Sequence, residues 1–409
     1  MPSFDSVALA RLRDAALSRT PISLGVRRTA SPHEFYRYPA RFSPELAAAA
    51  IEAFSKPGDV VADYFVGGGT TLVEARRASR LAIGSDINSL SVFVSNVKTR
   101  LYSAAELDQV IGWARKVAND DPVPDDVPID EIARSYFRNL TSADTASHRG
   151  MVRAAIAGLD GVDSPKARAF ARCVLLRTAQ WAFDMRRDIP SVELVLKALV
   201  DNASMMTTAA RASTKDYRVA DERVRGSGLP RSLVLHEGLP GVSDHRSVAR
   251  YPAPRLVLTS PPYPGVYVNY HRWKVRGRHE TPFPYFLAGQ EDGNGLAYYT
   301  MSARSDPSLR TYFSKLEVAF ADIARMCDPS THVVQVVGFN DVGDQLVRYL
   351  EAMEGAGFTE VKFDELATDE DGRLWRDVPG RRWWAHVGDR ADIAPHTARE
   401  VVLVHRPAS

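Results

Sequence analysis

Hydrophobic and polar positions along the chain follow two rhythms. Short apolar runs at residues 59–65, 81–88, 231–237, 256–258, 331–338, 359–366 and 398–406 read as strands, most of them buried on both faces. Between them, apolar residues recur at threes and fours over residues 6–17, 44–54, 90–97, 313–326 and 344–354, the spacing of amphipathic helices. Strands alternating with helices predict an α/β fold on a mostly parallel, seven-stranded sheet. From residue 101 to about 225 the strand rhythm stops. Residues 107–117, 167–183 and 192–212 are helical in pattern, with Phe170, Val174, Leu175, Thr178 and Trp181 recurring along the second of them. The chain therefore divides into the first part of an α/β domain (31–100), a helical insertion (101–228) and the second part of the α/β domain (229–409).

Two strand ends carry the candidate chemistry. The run Leu256-Val257-Leu258 leads into Thr259-Ser260-Pro261-Pro262-Tyr263. Two prolines cannot continue a strand ladder, because neither has an N–H to donate. The backbone carbonyls there face out of the carboxyl edge of the sheet, where open α/β folds bind ligands. With a small hydroxyl (Ser260) and an aromatic plate (Tyr263), this turn can hold a planar base by its amino group. Taken alone, Pro-Pro-Tyr equally suits an ordinary turn. The second strand end is Asp63-Tyr64-Phe65, followed by Val66-Gly67-Gly68-Gly69-Thr70-Thr71 and then a helix. Strand, glycine turn and helix form a nucleotide-cofactor platform: glycines permit close backbone approach, and the helix start offers free N–H groups. The next strand ends in Asp86-Ile87, placing a carboxylate for the hydroxyls of a ribose. This arrangement alone serves NAD as well as an adenosine cofactor.

Together the two stretches resemble the amino-directed DNA methyltransferases, which transfer a methyl group from S-adenosyl-L-methionine to cytosine N4 or adenine N6. The family's cofactor motif, roughly Asp-Pro-Phe-x-Gly-Ser-Gly-Thr-Thr, stands here as Asp63 to Thr71 with Tyr64 for proline and Gly68 for serine. The Thr-Ser-Pro-Pro-Tyr form of the catalytic motif is similar to the cytosine-N4 branch. A third stretch, Arg37-Tyr38-Pro39-Ala40-Arg41-Phe42, resembles the segment that closes over the methionine end of the cofactor. The family often carries histidine two residues before the Tyr-Pro pair; here Tyr36 stands there, and the nearest histidine is His33. The resemblance implies a Rossmann-like class I methyltransferase fold and a cofactor site of Tyr38, Pro39, Phe42, Asp63, Phe65, Gly67, Gly69, Thr70, Asp86, Ile87 and Glu237. In it Glu237 approaches the adenine amino group. It implies a catalytic set of Ser260, Pro261, Pro262 and Tyr263: acceptors at Ser260 and the Pro261 carbonyl localise the amine's lone pair, and Tyr263 stacks on a flipped base. No metal and no covalent nucleophile enter. Restriction or phage-defence proteins are the partners it suggests.

Beyond the catalytic turn, Tyr267, Tyr270, Arg272, Trp273, Lys274 and Arg276 alternate aromatic and basic groups. That suits a displaced nucleic-acid strand, with bases on rings and phosphates on cations, or else a packed loop with a solvated basic edge. Residues 289–295 read as a mobile lid, and 371–384 as an arginine-tryptophan loop for recognition. Arg168, Arg172, Arg177, Arg186 and Arg187 on the insertion are either a phosphate-binding face or a solvated helix side. Composition narrows these readings little. A net charge of +2 over 409 residues gives no overall attraction to nucleic acid, so any binding must be local. The two cysteines, Cys173 and Cys327, lack metal-ligand spacing and fit buried thiols in a reducing cytoplasm. Neither follows a proline as the nucleophile of cytosine-C5 methylation does. No apolar run reaches the ~20 residues of a membrane span, and the first residues lack a signal peptide's apolar stretch. DNA is the expected partner, with RNA and a non-catalytic nucleic-acid-binding role as the alternatives.

Overall fold

A computed structural model describes residues 5–18, 31–38, 43–120, 136–224, 228–266, 271–277, 280–293, 299–301, 306, 308–377 and 399–408. Eight strands form one sheet: β1 (Val60–Asp63), β2 (Leu81–Ser85), β3 (Ser232–Leu235), β4 (Leu256–Thr259), β5 (His332–Gly338), β6 (Phe358–Glu360), β7 (Leu374–Asp377) and β8 (Arg399–Pro407). Their order is β3-β2-β1-β4-β5-β8-β6. The first five are mutually parallel, and β8 runs antiparallel between β5 and β6. This is one strand more than the sequence pattern predicts. The extra strand, β7, pairs with the end of β8 that β6 leaves open, Leu374 opposite Val402 and Asp377 opposite Arg399. It escapes the pattern because Leu374 and Trp375 are its only apolar residues, set between charges.

Alternation along the strands sorts the core into two layers. Val60, Ala62, Val257, Val333 and Val337 face α10 (Arg310–Ala324) and α11 (Val342–Gly355), meeting Leu316, Phe320, Tyr349 and Met353. Val61, Ala82, Leu256, Leu258 and Val336 face α1 (Ser6–Leu17), α2 (Pro44–Phe54) and α3 (Thr70–Arg77) through Leu12, Leu46, Ile51 and Leu72. A period of two on a strand thus buries both faces.

After β2 comes α4 (Ser89–Thr99), then the helical stretch: α5 (Ala104–Asn119), α6 (Ala146–Ala157), α7 (Pro165–Phe183) and α8 (Val192–Arg223). Their starts are well specified. Ser103 and Glu106 close a reciprocal cap on α5, and Ser164 with Pro165 opens α7. These helices, α4, Trp273 and the short α9 (Phe283–Ala288) enclose a third apolar core. At 32 residues, α8 is about 48 Å long and continues past residue 212, the end that its apolar pattern predicts. Its last turns are pinned to the sheet domain: Asp221 accepts from Arg76 at 2.8 Å, and the Tyr217 hydroxyl donates to the Lys98 carbonyl at 3.1 Å.

Candidate active site

The carboxyl ends of β1, β2 and β4 converge on the glycine turn. Gly67 and Gly69 have φ of +46° and +75°, a region other residues enter at a cost. A Cβ at Gly69 would lie 2.6 Å from Ser95 Oγ, so the turn also packs too closely for a side chain. Gly69 begins α3 without a side-chain cap, leaving the first N–H groups of that helix to the turn. Gly68, serine in the family motif, is held from two sides. The buried Lys98 ammonium donates to its carbonyl at 2.7 Å, and a Cβ there would stand 2.9 Å from Tyr38 Cβ. The Tyr38 ring lies over Gly67, and its hydroxyl accepts from Ser91 at 3.1 Å.

Asp86 closes the turn by accepting from the Gly67 N–H and the Asn88 N–H, each at 2.9 Å. Burial raises its carboxyl to about 6 against the pull of those two N–H groups. Asp63 is 3% exposed and belongs to the seam between β1 and β4: it accepts from Thr259 Oγ1 at 2.6 Å and the Phe65 N–H at 3.2 Å. Burial raises it too to about 6, opposed by the hydroxyls of Thr259 and Thr71. Thr71 donates to the Leu258 carbonyl at 3.2 Å, so two side-chain bonds lock the glycine turn to the strand of the proline turn. Phe65 packs partly buried, 6.3 Å from Phe320, and Thr70 is buried at the start of α3. Ile87 is held from β3's end, where His236 Nε2 meets its carbonyl at 3.0 Å and Gly238 has no room for a Cβ. Glu237 lies beyond β3 and is exposed.

The proline turn is equally constrained. Ser260 Oγ donates to the Val336 carbonyl of β5 at 2.9 Å and lies 3.4 Å from the Tyr263 hydroxyl. The Tyr312 hydroxyl donates to the Pro262 carbonyl at 2.7 Å, while Pro261 is buried. Tyr263 packs against Gly338, where a Cβ would come within 3.0 Å of its ring, and its hydroxyl donates to Glu400 at 2.7 Å. Glu400, 4% exposed on β8, faces Arg376 of β7 at 3.4 Å. Sequence reading misses both residues. They lie more than 100 positions from the motif, and the one available signal was a lone acid at the head of a Val-rich strand.

The loop beyond differs from expectation. Trp273, expected as a stacking plate, is fully buried against Phe283, and its indole N–H donates to the Tyr36 hydroxyl at 3.4 Å. Arg272, Lys274 and Arg276, expected as phosphate contacts, are each committed to a carboxylate: Asp292, Glu280 (3.4 Å) and Asp144. Trp273 serves packing, and the charges around it find acids brought from elsewhere. Residues 289–293, expected as part of a mobile lid, are anchored by Ser89 Oγ on the Glu291 carbonyl (2.7 Å) and by the Arg272–Asp292 pair. His33 is buried with its Nε2 2.6 Å from Glu74 of α3, and burial lowers its pKa. Pro39, Phe42, Tyr267 and Tyr270 lie outside the described residues, as does the Arg-Trp part of the 371–384 loop. Among the described residues no three His, Cys, Asp or Glu side chains gather to hold a metal, and no helix is long and apolar enough to cross a membrane.

Parallel strands β3-β2-β1-β4-β5, an antiparallel strand inserted beside β5, and turns after β1, β2 and β4 at the carboxyl edge of the sheet define a Rossmann-like methyltransferase fold. Residues 22–93, which hold the glycine turn and Asp86, match the family model of the N6/N4 methyltransferases, described as DNA methylase. Over 119 residues, 27% of this chain, the sequence is 26% identical to the type II methyltransferase M.MjaII of Methanocaldococcus jannaschii, and the match spans 22% of that relative's length. The rRNA methyltransferase aviRa from Streptomyces viridochromogenes aligns over 95% of this chain and 96% of its own, at 11% identity and a TM-score of 0.35. The similarity to the N4/N6 amino-methyltransferases thus lies in the segment that carries the glycine turn.

Proposed function

We propose that the protein methylates the exocyclic amine of a DNA base, cytosine N4 in particular, with S-adenosylmethionine as donor. The observation that carries this reading is the state of the Ser260 hydroxyl. Its proton is committed to the Val336 carbonyl, so its lone pairs are left to accept an N–H from an incoming amine. An acceptor placed there draws the amine's lone pair out of conjugation with the ring, which is what a direct displacement at a methyl group requires. Tyr263 is held by its hydroxyl and offers a ring face for stacking. A neutral serine, where adenine enzymes more often carry aspartate, favours the smaller cytosine.

The residues around the glycine turn fit the donor: a turn too tight for side chains, an uncapped helix start and the carboxylate of Asp86 within one neighbourhood. Bound there by Gly67, Gly69, Thr70, Asp86 and Tyr38, S-adenosylmethionine would supply the activated methyl group. The protein's own contribution is positioning: Asp63 and Thr71 fix the distance between the two turns, and Ser260 orients the amine. A paired base hides its amine, so the target is flipped or single-stranded.

Nucleoside mass spectrometry after incubation of DNA and RNA with labelled donor tests this. N4-methylcytosine in DNA is the expected product. Label only in N6-methyladenine would reassign the base, label only in RNA would reassign the polymer, and no transfer to either would leave a binding role. Ser260→Ala should reduce turnover strongly while calorimetric donor affinity stays within about twofold.

A further inference from the structure

A cleft of about 650 Å³ opens between α4, α7, the turn after α6 and the end of α9, away from the proline turn. Arg100, Arg168 and Arg172 line it, with Asp160 the one acid on its wall and Phe93 and Leu159 among its apolar surfaces. Arg168 and Arg172 are one turn apart on α7 and so share a face. The guanidinium of Arg172 rests over Gly289, which has no side chain to exclude it, and donates to the Leu287 carbonyl at 3.2 Å. Arg168 donates to the Val162 carbonyl at 2.9 Å.

These cations differ from those of the loop after the proline turn. Arg272, Lys274 and Arg276 each sit on a carboxylate, whereas among the described residues none of the three cleft arginines has a carboxylate within ion-pair distance. The cleft walls thus carry three positive charges against one negative. In a concave site with low-dielectric walls, such an excess focuses a field that draws anions. Planar guanidinium groups bind phosphate oxygens in pairs, and the apolar wall accepts a flat ring. The volume is that of a small-ligand site.

We propose that this cleft is a second nucleotide site, which holds one phosphorylated nucleotide apart from the base being modified. The nucleotide is either part of the substrate strand or free in solution. The strand form rests on the function proposed above; the free form does not. Residues from Val92 to Arg100 line the cleft, and the same stretch of α4 packs Ser95 and Lys98 against the glycine turn.

The test uses the full chain and the double variant Arg100→Gln/Arg168→Gln. Arg172 is kept because its hydrogen bond also holds α9. Two probes are titrated: a fluorescein-labelled single strand of roughly 20 nucleotides, across a salt series, and free AMP or CMP by calorimetry. Strand binding through the cleft predicts about tenfold or greater loss of strand affinity, and a salt slope shallower by about 1.4 for two lost phosphate contacts. A free-nucleotide site predicts unchanged strand binding with loss of the AMP or CMP signal. Parent-like behaviour with both probes overturns the proposal, provided the melting curve and donor affinity show a folded variant. Arg100→Glu, at a side chain with no hydrogen bond to other described residues, repeats the test if the double variant unfolds. Should the parent bind no strand, whether single or annealed to its complement, the reading of the active site fails, and the free-nucleotide titration alone decides the cleft.

Discussion

Replacing Asp63 by asparagine tests how the two turns are joined. In the folded protein this carboxyl is raised from 3.8 to about 6, chiefly by burial between β1 and β4. That rise corresponds to about 3 kcal/mol. The sign follows from which state holds the proton. Between pH 4 and 6 the unfolded chain has released it while the folded protein retains it. The favourable contribution is therefore complete below about pH 4 and is lost as pH rises through about 6. Asparagine keeps the acceptor for Thr259 and Phe65 and removes the charge. It sacrifices one carboxylate hydrogen bond, roughly 1 kcal/mol, so the variant should exceed the parent by about 1–2 kcal/mol at pH 7 and fall about 1 kcal/mol below it near pH 4. Urea unfolding of ligand-free protein at several pH values measures both. Asp86, also raised to about 6, remains in the variant, so the pH dependence shrinks without vanishing. Parallel stability curves for parent and variant from pH 4 to 7 would refute the argument.

Three other outcomes follow from the site. Glu400→Ala leaves Arg376 buried without its carboxylate and should destabilise by about 3–5 kcal/mol, whereas Glu400→Gln, which can still accept from Tyr263, should cost less; denaturant midpoints distinguish them. Gly68→Ser introduces the serine of the motif it resembles but drives a Cβ to 2.9 Å from Tyr38 Cβ, so a loss of about 1–3 kcal/mol is expected by thermal unfolding, one that Tyr38→Ala, which keeps its Cβ, should not relieve. Trp273→Ala should cost about 3–5 kcal/mol as a core truncation; a stable variant with weakened nucleic-acid binding would return Trp273 to the surface role.

The strands and both turns are legible because they are local. Val60 to Asp63 and Leu256 to Thr259 are short apolar runs closed by residues that cannot extend a strand, and the glycines announce a turn without side chains. What is not legible is long-range. Nothing near Tyr263 points to Glu400, since their meeting depends on β8 entering the sheet antiparallel beside β5. The same limit explains the loop at 271–277. Arg272 and Trp273 are adjacent in sequence, so the pattern displays them as one basic-aromatic surface, but folding sends the ring into the core and the cation to Asp292. Periodicity reports which side of an element is apolar, not which carboxylate a distant segment will deliver. The helix at 146–157 is not legible because its buried residues include His148 and Arg149, whose polarity masks the apolar stripe.

The long helix α8 has a mechanical consequence. Its last turns are bolted to the glycine-turn region through Arg76, Tyr217 and Lys98, and Lys98 in turn holds the Gly68 carbonyl. The rest of its ~48 Å runs out along α5 and α7. It is a lever with a short arm at the turn and a long arm in the helical stretch. A rocking of about 5° about the bolted end carries the far end through about 4 Å while moving the turn by a small fraction of that. Coarse displacements at the periphery would thereby be geared down to fine adjustments at the turn, and a load that wedged the outer helices would bear on the Gly68 carbonyl through Lys98.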